Sequence, residues 1–334
     1  MTYAYIPVTV TNSESTATPT DFQQLVTVDL SYYSAFLNQD LSNTFFSSDT
    51  AGSTVVTSWL ESGNTYPFNS VNFWLYLPDG IGASSSITVY LQVDLSNTSH
   101  FNDTTTGVAP NLTSTYAEYD DGANVFTNYW NFAGTSLPTG WTSGGVNGAS
   151  TSVTVNNGVT LSSSYIMSPQ LTSSDTYVLD SLTTLKSSNQ NFYNSLLFDT
   201  TLGSGNVPDD EVVFNVLPSG SGTNIAQVIS GTGTTLASDT FSISENVPYM
   251  LTTMVSGTDV TGEYNYGTTS SILSNSSATS ENYAYVYLGV WNTEYFVQYA
   301  RVRAYPPNGV MPSATAGTSS GFPYYNTTTY EDLL

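Results

Sequence analysis

Apolar and polar residues alternate along most of this chain. Residues 3–11 set Ala4, Ile6, Val8 and Val10 against Tyr3, Tyr5, Pro7, Thr9 and Thr11, the period of two that marks a half-buried β-strand. Pro7 has no amide donor and favours a sheet edge. The pattern returns at Phe22–Leu30, Val55–Leu60, Val71–Leu77 and Ser86–Asp94, the last with Ile87, Val89, Leu91 and Val93 on one face. A polar loop at residues 12–20 and turn signals such as Pro78-Asp79-Gly80 lie between them. About six strands over about 95 residues predict a β-sandwich.

A second run of strands follows the stretch Tyr116–Trp141, which packs seven aromatics into 26 residues with Glu118, Asp120, Asp121 and Gly122. It reads as the end of one β domain and the first strand of the next. The pattern then predicts strands at Thr151–Val155, Val159–Ile166, Thr176–Leu185, Asn191–Phe198, Glu211–Leu217, Ile225–Ser230, Thr240–Ile243, Tyr249–Val255, Val260–Tyr266, Tyr283–Trp291 and Tyr295–Tyr305. Loops rich in Gly, Ser and Thr separate them at 203–206, 219–223 and 231–235, and Ser256–Asp259 reads as a hairpin turn. About a dozen strands in about 180 residues is the scale of a jelly roll. The best helical candidate is short, Ser34–Leu41. From Pro306 the pattern breaks into a Pro/Gly/Ser/Thr-rich tail over residues 306–334, with Tyr324-Tyr325 and Leu333-Leu334 as docking candidates.

Composition changes the picture in three ways. Disorder is excluded, because 13% of residues are aromatic and β-branched residues are abundant. Nucleic acid and anionic membrane surfaces are excluded as partners: 26 acidic residues face only Lys186, Arg301 and Arg303, for a formal charge of −23. Only 9% of residues are charged, so Ser, Thr, Asn and Tyr supply the polarity. At about pH 3 most carboxylates would be neutral, and such a surface stays hydrated. An acidic external medium fits this balance, as does an ordinary acidic secreted protein. Cysteine is absent, which removes disulfides and thiol chemistry. Met1 leads straight into a strand pattern with no secretory leader, and no apolar run approaches the roughly 18 residues that span a bilayer. An already mature chain, a chain exported without a cleaved signal and a virion protein assembled inside a host cell would all have this appearance.

The search for chemistry is mostly negative. Glycosidases need two carboxylates, and the E-x-D-x-x-E strand motif of jelly-roll glucanases is absent; Glu211 is followed by VVFNVL. A catalytic triad needs a histidine, and the single His100 lies in a polar loop without G-x-S-x-G elsewhere, which reads as a solvated side chain. Zinc lacks its usual ligands. Calcium, an oxygen-seeking ion, has two candidate clusters, Glu118/Asp120/Asp121 and Asp209/Asp210/Glu211, against the reading of plain acidic loops. Trp130, Trp141 and Trp291 are candidate sugar platforms, against core packing. Sequons at Asn97, Asn102, Asn111, Asn275 and Asn326 are candidate glycan acceptors, against chance in a chain rich in Asn, Ser and Thr. Arg301 and Arg303 alternate on one strand face, and with so few cations their placement matters.

The runs IPVTVTNSESTATPTDFQQL from Ile6 and Trp59-Leu-Glu-Ser62 resemble a domain of unknown function in archaeal and bacterial surface proteins. So do Phe73-Trp74 with Leu77-Pro78, SSSITVYLQ, and FNDTTTGVAPNLTSTYAEYDDGANVF, and the resemblance covers roughly residues 3–126. In that family a concanavalin A-like, laminin-G-type jelly roll commonly follows. Residues 127–305 are similar to one at their two ends, YWNFAGTSLPTGW and YFVQYARVRAY. The resemblance implies an extracellular or surface module and brings no catalytic residues; the family's closing strand carries a pair similar to Arg301 and Arg303, which implies a structural ion pair for them.

The resulting expectation is an all-β protein: an N-terminal β-sandwich over 1–122, a concanavalin A-like jelly roll over 123–305 and the tail. The expected role is a non-enzymatic structural or attachment protein of an archaeal exterior or virion, such as a spike, turret or filament component. It would assemble with its own copies or other surface subunits, with cell-surface glycans as possible ligands. A lectin-like carbohydrate-binding module and, third, a glycan hydrolase are the alternatives. No cofactor is expected; calcium is the one metal weighed.

Overall fold

The computed structural model describes residues 3–187, 191–217, 222–240, 243–266 and 269–323. The pair Tyr324-Tyr325, Leu333-Leu334 and the sequon at Asn326 lie outside the described residues. The fold is all-β, and it divides into two compact units: residues 3–125 together with 306–323, and residues 126–305.

The first unit is a β-sandwich. Its strands are β1 (Tyr3–Asn12), β2 (Phe22–Val28), β3 (Thr44–Ser47), β4 (Val55–Val56), β5 (Ser58–Ser62), β6 (Val71–Leu77), β7 (Ser85–Asp94) and β8 (Thr106–Val108). One sheet runs β1-β7-β3-β4 and the other β2-β6-β5-β8, antiparallel except for the β5–β8 pair. The sheets meet through alternating apolar faces. Ile6, Val8 and Val10 are buried on β1, and Phe46 of β3 meets Phe73 of β6 edge-on at 5.2 Å. The run expected as one strand, Val55–Leu60, is two, because the chain crosses between sheets at Thr57. The expected helix at Ser34–Leu41 is a 3₁₀ turn at Ser31–Phe36 with no buried residue to anchor a longer helix. The expected tail also differs: Ser313–Ala316 forms a strand on the free edge of β1, where a row of unpaired backbone groups receives it.

The second unit is a larger, jelly-roll sandwich. Its strands are β9 (Asn128–Trp130), β10 (Thr142–Gly145), β11 (Val153–Val155), β12 (Val159–Ser162), β13 (Ser164–Met167), β14 (Thr176–Ser187), β15 (Phe192–Leu197), β16 (Glu211–Leu217), β17 (Gly222–Ile229), β18 (Thr232–Asp239), β19 (Pro248–Ser256), β20 (Asp259–Tyr266), β21 (Thr269–Asn275), β22 (Tyr285–Val290) and β23 (Glu294–Arg303). The returning strand of the first unit, Ser313–Ala316, is β24. A seven-stranded sheet runs β10-β13-β22-β15-β16-β17-β18. An eight-stranded sheet runs β11-β12-β23-β14-β19-β20-β21, with β9 also on β23. Val159–Ile166, expected as one strand, breaks at Ser163, whose φ of 46° turns β12 into one sheet and β13 into the other. The presumed loop at 231–235 belongs to β18, a strand of mostly exposed Thr, Gly and Ala with little apolar signal.

The core lies between these sheets and holds Leu161, Leu179, Phe192, Leu196, Phe214, Leu251, Val286, Leu288, Tyr295 and Val302. A polar bridge crosses it. Ser181 of β14 donates to the Asn194 Oδ1 of β15 at 2.9 Å, and Asn194 Nδ2 donates to Thr253 Oγ1 of β19 at 3.0 Å. All three are buried, so the bridge fixes the register of one sheet over the other.

Arg301 and Arg303, expected as an ion pair, both donate through Nε to Asp180 Oδ2, at 2.8 Å each. Thr252 donates to the other oxygen at 2.8 Å, and the Phe126 ring covers Arg301 at 4.5 Å. Burial alone would raise the Asp180 pKa, but the charges and hydrogen bonds of Arg303 and Arg301 override it and hold the group at about 2. Because the folded value lies below the unfolded one near 4, the stabilisation is complete above that value and is lost as pH falls through about 2. Asp180→Asn should therefore destabilise the second unit by about 3 kcal/mol or more in urea unfolding at pH 5, since two buried guanidinium groups lose their counter-charge. A cost under about 1 kcal/mol would remove the triad from the account of this fold.

Candidate functional site

The outer face of the seven-stranded sheet, away from the core, carries rows of polar and aromatic side chains. The ladders place them in rows. Tyr165, Gly289, Tyr193, Asn215, Asn224 and Ser238 stand opposite one another across β13, β22, β15, β16, β17 and β18. The next row runs Met167, Tyr287, Ser195 and Val213, and the next Tyr285, Leu197, Glu211 and Val228. Two glycines make room for the rings. A Cβ at Gly289 would meet the Tyr287 ring at 2.4 Å, and one at Gly144 would meet the Tyr165 ring at 2.6 Å. The rings therefore lie along the sheet, stacked on each other at 5.1 Å and 17°.

Part of this face is closed by a hairpin strap over residues 199–210. Within it Gly203 donates to Val207 O and Asp209 to Thr201 O. Its tip is tied down: Asn206 Nδ2 donates to Gly145 O at 2.7 Å, Asn147 N to Gly205 O at 2.6 Å, and the Tyr287 hydroxyl to Asn206 O at 2.9 Å. Tyr193, Leu197, Val213 and Tyr287 are buried here.

Glu211 sits at the edge of this cluster with 1% exposure, and its Oε2 has no hydrogen-bond partner. Burial pushes its pKa up to about 8, with the Ser195 hydroxyl opposing. The carboxyl is thus a neutral donor and acceptor across the acid range. The Tyr193 and Tyr287 phenols are raised in turn, by burial first and then by Glu211. Beyond the strap the row continues through Asn215 and Asn224. Asn215 Nδ2 donates to Asn224 Oδ1 at 3.0 Å, while the buried Asn215 Oδ1 is unpartnered.

The first unit holds a matching buried acid. Asp121 is 1% exposed, and neither carboxylate oxygen has a partner. It occupies the space over Gly107, where a Cβ would come within 1.8 Å of Oδ1. Burial, then the charge of Asp120, raises its pKa to about 8.

The acids grouped as calcium ligands are not gathered round common points. Glu118 lies exposed beside the Tyr119 phenol. Asp120 Oδ1 accepts the Trp59 indole at 2.8 Å and the Gly122 amide at 3.1 Å. Asp209 packs against Gly203, Asp210 accepts the Ser230 amide at 2.7 Å, and Glu211 points to the sheet face. Among the described residues no three His, Cys, Asp or Glu side chains are arranged to hold a metal. Two of the three tryptophans are structural. Trp141 is in the core, and Trp130 packs on it edge-to-face at 5.0 Å, so Trp141 offers no open ring face. Trp291, 39% exposed, follows β22 alone. His100 is also not a freely solvated loop residue: it pairs with Asp94 at 3.0 Å and lies against the Phe45 ring at 4.5 Å. Of the sequons, Asn97 and Asn111 are exposed, whereas Asn102 donates to His100 O in a local turn and Asn275 donates across to Leu236 O of β18. Tyr193, Asn215, Asn224 and the protonated state of Glu211 were missed from sequence. Their signal was the outward half of each alternating strand.

No protein-family model matches the chain, so the surface-protein family remains a resemblance. One curated relative, uncharacterized protein 562 of Sulfolobus islandicus rod-shaped virus 1, is 43% identical over 124 residues, 37% of this chain. The match spans about a fifth (21%) of that viral protein's length. Similar solved structures include a carbohydrate-binding module, CBM66, from Bacillus subtilis, with 16% identity, TM-score 0.40, and coverage of 50% of this chain and 96% of that one. A Bacillus licheniformis β-glucanase has 11% identity, TM-score 0.41, and coverage of 53% and 97%. The calcium-bound exoplasmic/lumenal domain of VIP36 has 9% identity, TM-score 0.41, and coverage of 55% and 93%.

Asp121 and Glu211 have folded pKa values above their unfolded ones, so the native state keeps protons that the unfolded chain releases above about pH 4. Stability should fall as pH rises from about 4 to about 8 and then level off. Glu211→Gln and Asp121→Asn should each flatten this slope and raise the melting temperature at pH 8. Calorimetry across pH decides it; variants that keep the parent's slope would show that neither acid is buried neutral.

Proposed function

We propose that this chain is a non-catalytic protein of an exterior surface, virion or cell, that works in an acidic medium and binds neutral glycans on the outer face of the seven-stranded sheet. The row that holds the half-exposed Tyr165 and Asn224, with Asn215 beside Asn224, carries this reading. Phenol rings stack on apolar sugar faces, and side-chain amides pair with vicinal hydroxyls. The half-exposed Asn224, whose Oδ1 accepts from the buried Asn215, presents the amide of this pair to such a hydroxyl. A neutral ligand follows from charge: Arg301 and Arg303 are buried with Asp180, and Lys186 lies over Phe296 on the other sheet, so no cation serves this face. The viral relative favours a virion or its host's exterior as the setting, with assembly into a larger surface structure.

Hydrolysis is disfavoured by the same face. Glycosidic cleavage uses two carboxyl groups across the bond. Around Glu211 the outward positions are Tyr, Ser, Leu, Val, Asn and Ala, with no second carboxylate in these rows.

A screen of neutral and acidic glycans at about pH 4 tests the proposal. Neutral glycans should bind, and Asn215→Ala and Asn224→Ala should each weaken binding by about tenfold, the worth of one lost hydrogen bond. Trp291→Ala should leave affinity unchanged. Binding that survives both amide substitutions but disappears with Trp291→Ala would overturn the assignment, as would a chain that binds no neutral glycan.

A further inference from the structure

The segment after Pro306 is attached to the first unit as a peptide ligand is attached to its receptor. Asn308 Nδ2 donates to Glu14 Oε2 at 2.8 Å, and the buried Gln24 Nε2 donates to Pro312 O at 2.8 Å. β24 then pairs antiparallel with β1, Ser313 opposite Thr11 through Ala316 opposite Val8. Gly317 N donates to Pro7 O at 2.7 Å, and Tyr5 and Ser320 exchange two backbone bonds of 2.9 Å. Gly321, at φ 85°, passes so close to Ala4 that a Cβ would meet its Cα at 3.1 Å. The run ends on an aromatic anchor, with the Phe322 ring at 4.6 Å from Tyr33 and 5.3 Å from Phe36.

Three features distinguish this segment from the other strands of its sheet. Its attachment is almost all backbone: β24 side chains are exposed or half-exposed, and of residues 312–322 only Pro312 is buried. Donor and acceptor are separated in sequence by the whole second unit, residues 126–305. The acceptor edge of β1 is filled by this segment alone, from Tyr5 to Thr11, and the apolar side chains of β1 are buried on the other side, in the core. An edge strand with a matching extended segment and an aromatic pocket is the strand-addition mode of recognition.

From this arrangement we propose that the β1 edge is an intermolecular joint, which accepts the 312–322 segment of a second copy of this chain. Because donor and acceptor are different surfaces, the joint is head-to-tail: it closes into a ring or extends into a filament. The proposal does not depend on glycan binding.

The absence of cysteine makes the test clean, since any disulfide is an engineered one. Thr9 and Thr315 are exposed and directly opposed in the ladder. Thr9→Cys and Thr315→Cys single variants, carrying different mass tags, are co-expressed and oxidised. A covalent heterodimer with one tag of each kind forms only if the strand crosses between copies, and it is the expected result; the double variant should give a ladder of covalent multimers. A double variant that closes only within one chain, together with a mixture that yields no heterodimer, overturns the proposal. The Thr11→Cys/Ser313→Cys register pair repeats the test if the first disulfide fails to form in either arrangement.

Discussion

Asp180 engages both arginines of the chain, and that allocation constrains everything else. With the one lysine exposed on β14 and His100 engaged with Asp94, no basic side chain remains to neutralise another buried carboxylate. An isolated ionised carboxylate in an apolar interior is too costly to keep, so such a group takes up a proton instead. Asp121 and Glu211 are in that position, one in each unit, and both are raised to about 8. The triad and the two neutral acids therefore tolerate the same range from opposite sides: one survives acid because it is paired, the others because they are already protonated.

Backbone geometry then decides where the unusual side chains go. Gly144 and Gly289 let two tyrosine rings lie along the sheet, and the Tyr287 hydroxyl reaches the tip of the 199–210 strap. The strap shuts the Glu211 end of the face away from water, which is the physical reason that its carboxyl stays neutral. The Asn215–Asn224 end is left outside these ties. A single sheet face thus carries a dry, packed half and a polar half.

The strands were legible wherever one face was apolar and the other polar, as on β1, β7 and β23. Their partners were less so. Val55–Leu60 and Val159–Ile166 read as single strands because alternation records which face a residue takes and not which sheet it joins. β18 and β24 escaped detection because exposed edge strands of Thr, Ser, Ala and Gly have no apolar face to alternate. At the candidate site, Glu211 and Asp121 looked like surface acids, since sequence gives composition and not burial. Trp130 and Trp141 drew attention as large aromatics, whereas the row on the outer face is built from tyrosine and asparagine, which recur throughout this chain and so do not stand out. His100, one residue in a polar loop, gave no sign of its pairing with Asp94.

The two surfaces to which binding is assigned share a chemistry. The β1 edge offers backbone N–H and C=O groups, and the sheet face offers amides and phenols. None of these groups changes charge between about pH 2 and pH 9. An ion-pair interface would lose its carboxylates below about pH 4 and would weaken further with salt. Hydrogen-bonded recognition is indifferent to both. A surface almost without cations, which looks like a deficiency at neutral pH, is in acid a surface whose contacts do not depend on the medium.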